Sequence, residues 1–207
     1  MDSFPKKYFS IFLILHYGAN EKDLIYPLIS VFITIFLKFF LEFKGSPIIN
    51  PTVFGLLATE IITFVTPGLE PLFISWWGAS FSYNNIPVAL IISAVWILFF
   101  FKTWRKQFIL LSFLISHAII LLIQNELAYL SFTFTDATIY FFASIMLIEP
   151  RTSPIIKKDQ IIFGILAAMA YNVLRHFQIA HFDLIAIAIA NIYFFISSKL
   201  FNRLNTR

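Results

Sequence analysis

The sequence contains no cysteine, so disulfide bonds, thiolate-bound iron–sulfur clusters and cysteine nucleophiles are excluded. Charged residues are also scarce, at 13% of the chain against roughly 25% in an average soluble domain. The sequence has no Walker loop, dinucleotide fingerprint, metalloprotease helix or Ser-His-Asp arrangement. With no clustered carboxylates either, we expect no metal site and no hydrolytic chemistry.

The chain is rich in apolar residues. Of its 207 residues 59% are hydrophobic, 27 are Phe, and the mean hydropathy is +0.84. This composition predicts an all-α fold, a polytopic helical membrane protein forming a single integral membrane domain over residues 1–207. We expect about six transmembrane helices plus a short N-terminal segment at residues 8–17. The apolar stretches are residues 25–41, 51–66, 86–101, 108–123, 139–148, 154–173 and 182–201, of which the second reads as a partial span.

The positions of the basic residues predict an orientation. With the C-terminus on the cytoplasmic side, all Lys and Arg residues except Lys22 and Arg175 fall on that side. This asymmetry supports the segment count and a cytoplasmic C-terminus. We expect the chain to lie in the inner membrane of a prokaryote, with the lipid bilayer as a partner. The net charge of +4 is no sign of nucleic-acid binding, because the basic residues lie at the predicted helix ends.

The chain is organised around a polar break in residues 135–154. Asp136 is predicted to cap the helix that follows it, because its carboxylate accepts a backbone N–H that has no intrahelical partner. Pro150 is expected to end that helix at Glu149. Ser153-Pro154 then reads as the cap and first residue of the next helix.

This break has two interpretations. Glu149 and Arg151 are expected to form an ion pair that braces it. Alternatively, the helix start here and the one at Asn50-Pro51 direct backbone N–H groups at an anion or a cofactor phosphate. The second interpretation gives a candidate cofactor-binding set of polar residues at the two breaks: Asn50, Thr52, Glu149, Arg151, Thr152 and Ser153.

Two further polar positions lie within apolar segments. Glu60 stands nine residues after Pro51 and is a candidate ion or proton site with Thr63, or else a carboxylate at the end of a short helix. His117, inside the 108–123 segment, is expected to hydrogen-bond a neighbouring helix rather than bind a metal.

Residues 50–56 read NPTVFGL, and residues 141–154 read FFASIMLIEPRTSP. Both stretches resemble the RnfD/NqrB family, whose members belong to Rnf electron-transport complexes and to the sodium-pumping NADH:quinone oxidoreductase. Short relatives, including membrane proteins associated with enediyne biosynthesis, also resemble this chain at Trp77-Gly78. The resemblance covers about residues 45–154.

The resemblance implies a reduced version of an inverted-repeat, urea-transporter-like bundle linked to electron transport. The cofactor implied is non-covalent FMN or riboflavin, since the S-G-A-T flavin-attachment sequence is absent and its nearest counterpart ends at Thr138. The chain would be a non-catalytic or redox subunit with partner membrane subunits, or a homo-oligomer. The alternative function is a small-solute or ion channel or transporter on the same scaffold, without redox chemistry.

Overall fold

The computed structural model describes residues 25–43, 46–66, 94, 105–135, 137–149 and 151–204. The chain divides into two compact units, Met1–Trp77 and Gly78–Arg207.

The first unit is a helical hairpin with a short strand pair in its connection. Helix α1 (Ile25–Phe40) is followed by β1 (Glu42–Phe43), β2 (Ser46–Pro47) and helix α2 (Pro51–Val65). The strands are antiparallel, with Glu42 opposite Pro47 and Phe43 opposite Ser46.

A glycine sets the close contact between α1 and α2. A Cβ at Gly55 would collide with the Thr34 hydroxyl and would lie 2.9 Å from the Ser30 carbonyl oxygen. The Ser30 hydroxyl donates to Thr59 Oγ1 at 2.8 Å, across the same interface. The two helices can approach each other closely because Gly55 has no side chain.

The second unit contains α3 (Gln107–Ile123), α4 (Leu127–Thr135), α5 (Ala137–Phe141), a π-helical turn (Phe142–Met146), α6 (Lys157–His176) and α7 (Phe182–Leu204). Helix α6 packs against both α3 and α7. The core of this unit includes Phe113 from α3, Phe142 from the π-helical turn, Phe163 from α6 and Leu184 from α7, each at most 1% exposed.

Gly164 has the same role in this unit as Gly55 has in the first. A Cβ there would collide with the Ser112 hydroxyl and would lie 2.6 Å from the Ile109 carbonyl oxygen. Close approach of α6 to the backbone of α3 thus requires glycine at this position.

The helical character of the fold is confirmed, and several bounds agree with the sequence. The predicted segments 25–41, 108–123 and 182–201 correspond to α1, α3 and α7. The predicted start at Pro51 with Asn50 as its cap is also confirmed. Three of the predictions lie outside the described residues: the Asp136 cap, the segment 8–17 and the resemblance at Trp77. So does the segment 86–101, except for Ala94.

The predicted polytopic membrane fold is contradicted. Within residues 25–204, excluding the undescribed gaps, no helix is both long enough and apolar enough to cross a membrane. Helices α1, α2 and α3 have 16, 15 and 17 residues, where a span needs about 20. Helix α6 has 20 residues but includes Lys157, Lys158, Asp159 and Arg175. The same finding contradicts three further predictions: the six-span, urea-transporter-like bundle, the inner-membrane location and the cytoplasmic C-terminus.

Candidate functional site

The candidate site is the polar segment that follows the π-helical turn, which we call the corner: Glu149, Arg151, Thr152 and Ser153. Its side chains bond to one another. The Thr152 hydroxyl donates to Glu149 Oε2 at 2.9 Å, and the Ser153 hydroxyl donates to the Glu149 carbonyl oxygen at 2.7 Å. Thr152 and Ser153 are buried, whereas Arg151 is exposed. The corner is therefore a fixed turn, with one basic side chain directed to solvent.

A lysine from the start of α3 is joined to the corner. Lys106 Nζ donates to the Ser153 carbonyl oxygen at 2.9 Å and to the Ser153 hydroxyl at 2.6 Å. Lys106 is 4% exposed. Arg105, just before it, has φ = 52°, a left-handed conformation uncommon for a non-glycine residue. This sharp turn immediately precedes Lys106, whose side chain is buried.

One amide side chain attaches the corner to α7, and a second one joins the segments next to the corner. Asn191 Nδ2, on α7, donates to the Thr152 carbonyl oxygen at 3.2 Å. Gln160 Nε2, on α6, donates to the Ile155 carbonyl at 2.8 Å and to the Arg105 carbonyl at 3.3 Å. Both amides are buried. Hydrogen bonds thus connect the corner to α7 through Asn191 and to the start of α3 through Lys106, and Gln160 links the starts of α3 and α6.

The corner is electropositive. Arg105, Lys106, Arg151, Lys157 and Lys158 lie in or next to it, against two acidic residues, Glu149 and Asp159. Burial lowers the pKa of Lys106 to about 8, and the nearby Glu149 carboxylate opposes that shift. The excess of basic groups favours an anionic ligand.

The start of α6 differs from the sequence prediction. The helix begins at Lys157, with Ile156 in the cap position, and not at Pro154. The reason is that the Ser153 hydroxyl is committed to the Glu149 carbonyl and to Lys106, so it does not cap the helix. Among the described residues, no side chain caps α6 or α3 at its N-terminus. Both N-termini carry positive polarity from the helix dipole.

The predicted site residues of the first unit have other partners. Asn50 Oδ1 accepts from the backbone N–H groups of Thr52 and Val53, at 3.0 and 3.4 Å, so these amides are used by the cap. Ten residues further on, roughly 15 Å along the helix, Glu60 is half-buried. The Thr63 hydroxyl donates to the Glu60 backbone carbonyl at 2.8 Å. Asn50 and Glu60 therefore do not belong to one cluster, and the corner belongs to the second unit.

A second polar cluster lies in the core of that unit. His117 is fully buried, and its Nδ1 lies 2.9 Å from Asn172 Nδ2. The predicted hydrogen bond to a neighbouring helix is thus confirmed. Asn172 Nδ2 also donates to the Ala168 carbonyl at 2.7 Å, which fixes the orientation of the amide. His117 Nδ1 is therefore an acceptor, and the neutral ring carries its proton on Nε2.

Aromatic rings surround this histidine. The Phe113 ring is parallel to it at 5.9 Å, Tyr171 is edge-on at 5.2 Å, and Phe134 lies at 6.1 Å. Burial, and next the charge of Arg175, lower the pKa of His117 to about 4. The ring is therefore neutral near pH 7.

Sequence reasoning missed four polar residues that contribute to these clusters: Lys106, Gln160, Asn172 and Asn191. Each is a buried polar residue in or next to an otherwise apolar helix. An isolated Asn inside an apolar helix is the signal that could have identified Asn172 and Asn191, since a buried amide requires partners. Their partners, which lie far away in the sequence, could not be inferred in that way.

Neither the protein-family models nor the curated proteins that were searched match this chain. The resemblance of residues 50–56 and 141–154 to the RnfD/NqrB family therefore stays a prediction.

Proposed function

We propose that the chain is a non-catalytic subunit of an electron-transport complex that binds a flavin non-covalently, with the flavin phosphate at the corner. The observation that carries this proposal is the meeting of two helix N-termini without side-chain caps at an electropositive corner. The Gln160 bond to Arg105 and the contact of Lys157 Nζ with the Phe108 ring, 4.4 Å from its centroid, bring the starts of α3 and α6 together. Such N-termini bind phosphate groups readily.

The choice of a flavin, among anionic cofactors, comes from the sequence. The corner carries the EPRTSP segment that resembles the RnfD/NqrB family. Within this proposal, the basic side chains and the helix N-termini contact the phosphate, and the buried Lys106 keeps the turn in shape. The ligand is then FMN and not riboflavin, since only FMN has the phosphate.

Exposed apolar faces support the role of a subunit. On α6 the exposed residues Ile161, Ile165, Met169 and Val173 recur at every fourth position and form a stripe along one face. On α3 a similar stripe contains Leu111, Ile115, Ile119 and Ile123. Contiguous exposed apolar surface marks a binding surface, here for a partner subunit or a second copy of the chain.

Titration of the purified chain with FMN and with riboflavin tests the proposal. We expect FMN to bind and riboflavin to bind at least about tenfold more weakly, because riboflavin lacks the charge-assisted contacts. The variants Arg151→Gln, in the corner, and Lys158→Gln, in the first turn of α6, both change exposed residues and are expected to weaken FMN binding and leave riboflavin unaffected. Equal affinity for the two flavins, or no binding of either, would contradict the proposal.

A matched control separates local recognition from net charge. Gln178→Glu makes the same change of one charge unit at an exposed residue just beyond the opposite end of α6. It should leave the affinity for FMN near the wild-type value. The alternative function, a solute or ion path at Glu60, stays a prediction.

A further inference from the structure

An exposed segment joins the corner to α6, and we call it the tip: Ile155, Ile156, Lys157 and Lys158. Ile155 is 82% exposed and Ile156 is 67% exposed, although the three residues before them are buried. A single exposed isoleucine is ordinary on a protein surface. Two adjacent ones followed directly by two lysines place apolar and basic groups side by side.

The backbone of the tip is anchored. Gln160 Nε2 donates to the Ile155 carbonyl oxygen at 2.8 Å, and the Gln160 backbone N–H donates to the Ile156 carbonyl oxygen at 2.9 Å. Just before the tip, Ser153 is bonded to the buried Lys106. Both isoleucines are thus held in solvent by a fixed backbone, and exposed apolar groups with a polar rim mark an interaction surface.

The exposed charges around the tip share one sign. Arg105 and Arg151 are exposed, as are both lysines of the tip. Because Glu149 and Asp159 are half-buried, every exposed charged side chain is basic among the described residues of the corner, the tip and the first turns of α3 and α6. The hydrogen bond and the ring contact that join the starts of these two helices keep the four basic groups at one end of the second unit.

The opposite end of the second unit differs in charge. There Arg175 Nη2 donates to Glu126 Oε2 at 2.6 Å and to Gln124 Oε1 at 3.3 Å, so the C-terminal ends of α3 and α6 lie together. Asp183, in the first turn of α7, adds a second carboxylate. Of the described Asp, Glu, Lys and Arg residues at that end, two are acidic and one is basic. The exposed positive charge is therefore concentrated at the end that carries the tip.

We propose that the tip docks on the surface of an anionic lipid bilayer. Ile155 and Ile156 insert among the acyl chains, and the surrounding Arg and Lys side chains contact the lipid phosphates. Stable binding to a membrane surface takes two signals, and an apolar and a basic one meet here. A small anion satisfies only the basic groups, whereas an anionic bilayer covers both kinds of group. The contact is peripheral, because only side chains enter the bilayer. The proposal does not rest on the flavin site, in which the isoleucines have no part.

Binding of the full chain to lipid vesicles tests this contact. We expect binding to phosphatidylcholine vesicles that contain about one third phosphatidylglycerol, and at least about tenfold weaker binding to phosphatidylcholine alone, because the basic groups contribute only near a negative surface. Added salt should weaken the binding to the anionic vesicles.

Two matched isoleucine variants locate the contact. Ile155→Ser should lower the affinity for the anionic vesicles about tenfold, since it removes the more exposed apolar side chain of the tip. The control Ile123→Ser changes an isoleucine that is 74% exposed at the end of α3, on the opposite side of the unit. Its affinity should stay near the wild-type value.

The absence of cysteine allows a second readout, which apolar surfaces elsewhere on the chain do not disturb. An environment-sensitive fluorophore on the single cysteine of Ile155→Cys should gain intensity and shift to shorter wavelength on anionic vesicles. The same label on Ile123→Cys should not respond.

Any of four results would overturn the proposal: no binding to vesicles, equal affinity for neutral and anionic vesicles, equal affinities of Ile155→Ser and Ile123→Ser, or the same fluorescence change at both labels. Titration of Ile155→Ser with FMN, which should match the wild type, separates a failure of this proposal from a failure of the flavin site.

Discussion

Lys106 and Ser153, 47 positions apart in the sequence, are joined by two hydrogen bonds from the lysine Nζ, one to the backbone carbonyl and one to the hydroxyl. The pair links the start of α3 to the corner. Because the lysine is buried, its charge has an energetic consequence that can be measured as a function of pH.

We expect the free energy of unfolding to rise with pH above pH 8 because of Lys106. Its pKa is about 8 in the folded chain and 10.5 in the unfolded chain. Between these values the unfolded state binds the extra proton, so stability increases with pH, by about 1.4 kcal/mol per pH unit at most. Denaturant unfolding at a series of pH values between about 7 and 9.5 measures this change in the free energy of unfolding. Lys106→Met should remove the rise, and Lys158→Met, at an exposed position, should keep it; an identical pH profile for Lys106→Met contradicts the prediction.

Acid should destabilise the chain through His117. The pKa of this histidine is about 4 in the folded chain, against 6.5 when unfolded. As the pH falls from 6.5 to 4, the unfolded state takes up a proton that the folded state does not, and stability is lost, by about 3 kcal/mol over the whole range. His117→Phe should have a flatter profile over pH 4.5–6.5. His176→Gln, at an exposed position, serves as the control, and equal slopes for His117→Phe and the wild type would refute the expectation.

Gly164→Ala should destabilise the second unit. Alanine is the better helix former, by about 1 kcal/mol, yet the new Cβ would lie against the Ile109 carbonyl, and backbone cannot rotate away as a side chain can. We expect a net loss of about 1–3 kcal/mol in the free energy of unfolding. Adding Ser112→Ala should recover only part of the lost stability, since the contact of the new Cβ with the Ile109 carbonyl remains. A stabilised Gly164→Ala would show that α3 and α6 are further apart than described.

Removal of the Asn50 cap should weaken the first unit. Asn50→Ala leaves the N–H groups of Thr52 and Val53 without their side-chain acceptor, which costs about 1 kcal/mol. Asn50→Asp keeps an acceptor oxygen and adds a charge that favours the helix dipole, so it should retain most of the stability. Helix content followed by circular dichroism through urea unfolding compares the two, and equal losses would argue against a capping role.

Local signals in the sequence predicted local structure well. The Asn50-Pro51 start of α2 depends only on neighbouring residues, and both the cap and the proline are visible in the sequence. The predicted helix end at Glu149 is wrong by three residues, since the π-helical turn stops at Met146 and is followed by a turn at Leu147. The restriction that Pro150 places on Glu149 is consistent with a stop before the proline but does not fix the last helical residue.

Features that depend on distant residues were not predictable. The shift of the α6 start from Pro154 to Lys157 follows from Lys106, which takes Ser153 as its partner. The prediction of membrane spans rested on the apolar composition and on apolar stretches such as 108–123, whose bounds match α3. That stretch forms a helix of 17 residues, whereas a span needs about 20.

The π-helical turn Phe142–Met146 sets the direction in which the corner faces. A π-helix holds about one residue more in a turn than an α-helix does, so every side chain after it is rotated relative to a regular helix. Insertion or deletion of a single residue between α5 and Glu149 would thus reorient the corner without changing any of its residues. The orientation of the corner therefore depends on the number of residues in this short segment as much as on their chemistry.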